Sequence, residues 1–360
     1  MHKIKLKKYG HWLVSCCLLI FLTACGSEGG ETVSRVKPSS MGKIYQVNTL
    51  ISPEIFNSSV IDTFDFRYAR AYPLLPQPEP YFDLRFYEVS ELAAQPLLRN
   101  LKCFLILADM SIDDELTRMV RSDFRESIDF RESGVRIGQD KWARDQLIVY
   151  IYGPDRQSLI REINRSYLTV SERISQFYDD MIRSTVYVQG DNKAIRDSVM
   201  EKYQVNMKVP ADYVIGLEAD SIMWLRQEIP NISRSILISR FPYRNESQFT
   251  KEGIIAMRDR LGQYISTTTE GTYMRVNSVD LPVFTTTTEI DGNFAVRAAG
   301  IWEIVGDFMG GAFVTYAVLD ETRQEIVLLD GFVYSPEEKK KLSMIYLDHI
   351  LRQTKLEGSL

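Results

Sequence analysis

Histidine and cysteine are almost absent from this 360-residue chain, which has three of the first and four of the second. His2, His11, Cys16, Cys17 and Cys25 all fall within the first 25 residues, so only Cys103 and His349 stand beyond them. One thiol cannot close an internal disulfide. Cys103 lies in the apolar run 101–107, where a thiol is expected to be buried and inert. One histidine excludes a His-rich zinc site, an HExxH helix, and any Ser-His-Asp or Cys-His triad that does not use His349. Near the end of an expected C-terminal helix, His349 should face solvent or cap that terminus. The chain also lacks GxGxxG, GxxxxGK[ST], GxSxG and an EF-hand loop, so no cofactor and no metal are expected. No basic stripe is present, which argues against nucleic acid as a partner.

What is present begins with an address. Lys3, Lys5, Lys7 and Lys8 precede an apolar segment, 12–22, too short to span a membrane as a helix. Leu22-Thr23-Ala24-Cys25-Gly26 follows. This pattern resembles the bacterial lipobox, and implies removal of residues 1–24 and acylation of Cys25. Two or three acyl chains anchor a protein stably. Gly26 rather than aspartate after the cysteine points to the outer membrane, with the periplasmic face and the cell surface both open. Residues 25–40 are polar and Gly/Ser-rich, as in a flexible tether. Removing residues 1–24 takes four of the 43 basic residues and none of the 48 acids, so the mature net charge is −9. With 45% hydrophobic residues the chain can build packed cores.

Its length suggests two domains, here divided as 41–203 and 204–360. In the first, strands are expected over 42–49, 101–108 and 146–152. A helix should open at Asp113-Asp114 and run to about Phe130. Pro73, Pro76, Pro78 and Pro80 break regular structure. Ile160, Ile163, Tyr167, Val170, Ile174, Phe177 and Met181 alternate by three and four, which predicts a helix of about 25 residues. Its apolar seam either lies across its own sheet or meets a partner helix. A second helix is expected over 193–203. From Val205 the pattern changes to strands: 205–210, 213–217, 221–226, 235–240, 283–289, 293–304, and a hairpin of 312–319 with 325–334. One helix between them should turn Ile254, Met257, Leu261 and Tyr264 inward. The closing helix should start at Ser335-Pro336 with Glu338 completing a capping box, and bury Leu342, Ile345 and Ile350. The fold class is therefore α+β, the second domain a largely antiparallel sheet covered by helices.

Several segments together resemble a family of Bacteroidetes lipoproteins, the domain-of-unknown-function 4837 family. They are the lipobox, Leu75-Pro76-Gln77-Pro78-Glu79-Pro80-Tyr81-Phe82-Asp83-Leu84, Trp142-Ala143, Glu270-Gly271-Thr272-Tyr273-Met274, Ile301-Trp302 and Asp307-Phe308-Met309-Gly310-Gly311. The resemblance covers almost the whole mature chain and implies an envelope address without an activity. The second half also resembles the photosystem-II PsbP-like fold, whose members are mainly assembly and binding factors. In the lineage so implied, Asp-Ser followed by an apolar residue is often O-glycosylated, which would mark Ser198 and Ser221.

Carboxylates are the one plausible catalytic class. Asp113-Asp114 should cap a helix, and Asp179-Asp180 should end the long helix in solvent. Around Gly310 and Gly311 the chain forms either a turn into the strand at Ala312 or a binding surface. That surface would be built from Trp302, Phe308, Met309 and Phe313, with the proline-rich segment 76–82 beside it. The expectation is an outer-membrane lipoprotein held by its N-terminal lipid, acting by binding as an accessory or assembly factor for an envelope protein. A carboxylate-dependent hydrolase of envelope glycans is the alternative. It would show a deep polar cleft holding two or more carboxylates with perturbed pKa values, where a binding factor would show a shallow apolar patch near Trp302 and Phe308.

Overall fold

Two apolar runs 44 residues apart meet side by side as β3 (Cys103–Asp109) and β5 (Leu147–Gly153), with every residue of both buried. A strand covered on both faces reads as an unbroken apolar run, which is why these two were legible. The computed structural model describes residues 36–125 and 127–358, so Cys25 and the rest of the signal and lipobox lie outside the described residues. β1 (Gln46–Leu50), β2 (Asp83–Tyr87) and β4 (Gly134–Gln139) complete a five-stranded sheet of order β2-β1-β3-β5-β4. All neighbours are parallel except the β4–β5 pair.

Helices cover both faces of this sheet. α1 (Pro53–Phe56), α2 (Ser59–Tyr68) and α5 (Arg156–Val186) bury Ile55, Phe64, Tyr68, Ile163 and Ile174 on one face. α3 (Val89–Ala94) and α4 (Glu115–Phe124) bury Leu92, Leu116 and Val120 on the other. Asp114 caps α4 by accepting from the Thr117 amide at 2.8 Å. α4 stops at Phe124 rather than near Phe130, because Arg125 turns to φ 49°. α5 has 31 residues and lies across its own sheet. Its innermost line is Leu159, Ile163, Val170, Ile174, Tyr178 and Ile182, while Ile160, Tyr167, Phe177 and Met181 sit half-buried beside it.

After α6 (Lys193–Tyr203) comes an antiparallel sheet. Its strands are β7 (Val214–Ala219), β8 (Ile222–Ile229), β9 (Ile232–Pro242), β10 (Tyr273–Asn277), β11 (Phe284–Ile290), β12 (Asn293–Val305), β13 (Gly310–Asp320) and β14 (Glu325–Tyr334). The order is β10-β12-β13-β14-β9-β8-β7, with β11 also on β12. The strand expected over 205–210 reduces to β6 (Val205–Asn206), which pairs with β15 (Lys355–Leu356). α7 (Lys251–Gly262) turns Ile254, Met257 and Leu261 into the core on one face, but Tyr264 lies past its end and is exposed. α6 and α8 (Lys341–Arg352) cover the other face. The α+β class and the helix-covered antiparallel second half are as the sequence implies.

α8 departs from its expected form. It begins at Lys341, and Ser335 donates to the Glu338 carbonyl in a turn instead of capping a helix. The cap comes from far away: the Glu79 carboxylate accepts from the amides of Lys340 (2.6 Å) and Lys341 (3.2 Å). Leu342 is exposed, while Ile345 enters the core of the parallel sheet and Leu347, Ile350 and Leu351 enter that of the antiparallel sheet. One helix thus serves two cores, and both sheets lie within a single compact unit, Ser39–Leu360.

Candidate functional site

Where α8 and α5 meet the antiparallel sheet, a cleft of about 590 Å³ opens, within the range of ligand pockets. α5 contributes a second stripe beside its apolar one: Leu168, Glu172, Ser175 and Asp179 recur at helical spacing and line the cleft. β12 supplies Arg297 and Ala299, β13 supplies Tyr316, and α8 supplies Asp348 and Arg352. The segment between α2 and β2 closes one side with Arg70, Tyr72 and Tyr81.

At its floor Asp348 collects three donors. Its Oδ1 accepts from Arg297 Nε and from the Tyr316 hydroxyl, both at 2.9 Å, and its Oδ2 lies 3.1 Å from Arg352 Nε. Arg352 also reaches Asp179 at 3.8 Å. Burial opposes the Arg297 charge, but Asp348, helped by Tyr316 and Tyr72, outweighs it and raises the Arg297 pKa. Burial, reinforced by Asp348, also lifts the Tyr316 and Tyr72 phenols well above their usual range. The phenols stay protonated and can donate.

The cleft's other wall is aromatic. Tyr81 stacks between Tyr45 (5.8 Å between centroids) and Tyr72 (5.6 Å). The exposed Arg70 guanidinium lies 5.3 Å over Tyr81 and 5.4 Å over Tyr167, and among the described residues it has no carboxylate partner. Mixed aromatic, cationic and hydroxyl groups suit a polar ligand held by several weak contacts.

The residues singled out from sequence are not gathered into one surface. Trp302 and Phe313 are 3% and 1% exposed and belong to the core under α7. Trp302 packs edge-on against Phe332, and Phe313 lies 4.0 Å beneath the Arg258 guanidinium. Met309 is half-buried on the same core. Only Phe308 stands fully in solvent. Gly310 and Gly311 are strand residues, not a turn. A Cβ on Gly311 would sit 1.9 Å from the Val333 carbonyl oxygen, so close strand approach explains that glycine. The proline-rich segment lies elsewhere, with Glu79, Gln77 and Pro80 holding Lys340 and Lys341 at the start of α8.

His349 neither faces solvent nor caps a terminus: it is 4% exposed, beside Tyr187. Cys103 is buried, and burial drives its thiol pKa far up. Asp179 lines the cleft rather than a solvated helix end, since α5 continues to Val186. Ser198 bonds the Ala194 carbonyl on α6, and Ser221 is exposed in the β7–β8 turn. Arg258 and Asp330 form a fully buried ion pair at 3.0 Å between α7 and β14, sealed from any opening. Among the described residues no group of three or more metal-ligating side chains gathers, and no helix is long and apolar enough to cross a membrane.

A parallel α/β layer and an antiparallel sheet that share one helix, with a polar cleft between them, define an α+β protein of two sequence modules. Residues 192–353 match the family Domain of unknown function (DUF4837), and residues 40–180 match Domain of unknown function (DUF8532). The C-terminal half is therefore similar to the DUF4837 family, while Leu75–Leu84 and Trp142-Ala143 fall within the second model. No curated protein matches the chain. Among solved structures, a mutant of the protein Mog1 is 12% identical, covering 43% of this chain and 92% of its own, with a TM-score of 0.30. The Saccharomyces cerevisiae Ran-binding protein Mog1p is 12% identical, covering 42% and 90%, also at 0.30. Human StAR-related lipid transfer protein 5 is 11% identical, covering 49% and 97%, at 0.22. Scores this low carry no argument.

Proposed function

We propose that this chain is a non-enzymatic binding factor of the bacterial envelope. It is anchored in the outer membrane through lipid on Cys25 and holds an envelope partner in the cleft between its two sheets. The observation that carries this reading is Asp348. A carboxylate that accepts from two arginines and a tyrosine is spent on architecture, and it fixes the cleft's walls in place. Glu172 and Asp179, the other acids there, are seven residues apart on one helix, about 10 Å of rise. A glycosidase needs its two carboxyls on either side of the scissile bond, and these two stand on the same helix. The apolar patch expected near Trp302 and Phe308 is not formed and the cleft is polar, so the reading rests on how its carboxylates are used, which favours recognition over hydrolysis.

The test is a cross-linked pull-down of the tagged full-length chain from native membranes. Arg70→Glu and Leu168→Asp alter exposed residues of the cleft, so both should fold. Each should lower recovery of a stoichiometric partner by roughly tenfold, the effect of losing one good contact. Phe308→Ala should leave recovery unchanged. A partner recovered equally with both cleft variants would rule out the cleft as its seat. Cys25→Ser should move the chain from the membrane to the soluble fraction, and membrane retention would refute the lipid anchor.

A further inference from the structure

The larger sheet has three terminal strands, and two of them are blunted. β10 spends outward amides on its own helix layer: Met274 N–H donates to the Ile265 carbonyl at 2.9 Å and Val276 N–H to Asp259 at 2.7 Å. β7 loses its register at Ile215/Leu217, which breaks the edge with a bulge. β11 has neither device. It pairs with β12 in unbroken register over seven residues, and among the described residues it pairs with β12 alone. Its sequence, Phe-Thr-Thr-Thr-Thr-Glu-Ile, holds no proline, lysine or arginine, and Phe284 through Thr287 are exposed. A β-prone edge whose one charge, Glu289, stands near its turn end is a template for another strand.

That edge borders the cleft. The register sets Phe284, Thr286 and Thr288 opposite Ala299, Arg297 and Ala295, hence on one face of the sheet. Thr288, Arg297 and Ala299 all line the cleft. A strand laid along β11 would therefore send every second side chain towards the cleft. There Arg70, which lacks a carboxylate partner among the described residues, offers one.

We infer that the cleft's ligand is an extended peptide of a partner protein, paired strand to strand with the free edge of β11. Alternate side chains enter the cleft, one of them acidic and meeting Arg70. This rests on the cleft-binding reading above and specifies its ligand. Backbone pairing supplies affinity and the alternate pockets supply selectivity.

The probe is a displayed library of random peptides selected on the full-length chain, followed by amide hydrogen exchange with an enriched peptide. The expected result is enrichment of peptides carrying an acidic residue, with exchange of β11 amides slowed about tenfold or more. Thr286→Pro and Thr287→Pro are made as two separate variants, because alternation puts only one of these amides on the free edge. Whichever variant keeps the wild-type unfolding transition should lose peptide binding at least about tenfold. Four outcomes overturn the inference: no peptide enriches, protection falls on β7 or β2 instead, the folded proline variant still binds, or only oligosaccharide fragments occupy the cleft. If Arg70→Glu and Leu168→Asp lose the membrane partner while the folded proline variant keeps it, cleft binding stands and strand addition falls. If the cleft variants keep the partner as well, the cleft-binding reading itself fails.

Discussion

The His349 imidazole sits between α8 and α5 with neither ring nitrogen partnered among the described residues. Burial, then Arg352 and Arg183, lower its pKa from 6.5, against the pull of Asp179 and Asp348. Its folded pKa therefore lies below its unfolded one, and the unfolded chain binds the proton first as pH falls. Above about pH 6.5 this group leaves stability unchanged. Between 6.5 and the folded pKa it removes stability steadily, and below that it adds no further loss. The urea midpoint should consequently fall more from about pH 7.5 to about pH 5.5 in the wild type than in His349→Gln. Equal falls would mean that His349 is not linked to folding. Its solvated placement was expected from sequence because helix-end position alone says nothing of a second layer packed above. The same blindness affected Trp302 and Phe313, where a cluster of aromatics near two glycines suggested a surface. Both instead lie on inward positions of paired strands, and only Phe308, in the turn between them, is out.

Elements whose cause is local were legible, and elements whose cause is distant were not. α6 runs over 193–203 as the pattern required, and β3 and β5 announced themselves by continuous apolar residues. β2 and β4 carry no clear sequence signal because they are edge strands, half-exposed and mixed in polarity. Asp291-Gly292, with φ of 51° and 76°, is the two-residue turn joining β11 to β12. The strands on either side are those expected over 283–289 and 293–304, and this turn joins them as a hairpin. The start of α8 is the clearest case of a distant cause, since its cap is 261 positions upstream. Deleting a capping carboxylate costs about 0.5–2 kcal/mol, so Glu79→Ala should lower stability by that amount in urea unfolding. Glu338→Ala, which removes the side chain from the expected capping box, should change it by less than about 0.5 kcal/mol. The reverse order would return the cap to Ser335 and Glu338.

The cleft could not be read in advance because no stretch of sequence contains it: its walls come from residues 70–81, α5, the β12–β13 pair and α8. What assembles them is α8, which places Ile345 in one core and Leu347 in the other. Neither sheet can lose this helix without exposing apolar surface, so the two modules should unfold together although different family models describe them. The tryptophans report on both. Trp142 packs on Phe104 beside the parallel sheet, while Trp224 and Trp302 lie in the antiparallel one. Versions carrying only Trp142, or only Trp224 and Trp302, should give coincident urea transitions, as two-state unfolding demands. Leu347→Ala empties a fully buried site and should cost about 2–5 kcal/mol. The decisive feature is that it should shift the Trp142 transition as far as the other, although Leu347 belongs to the opposite core. If the Trp142 transition holds its midpoint while the second falls, each sheet stands on its own core. The cleft would then be a contact between independent domains rather than a feature built into one.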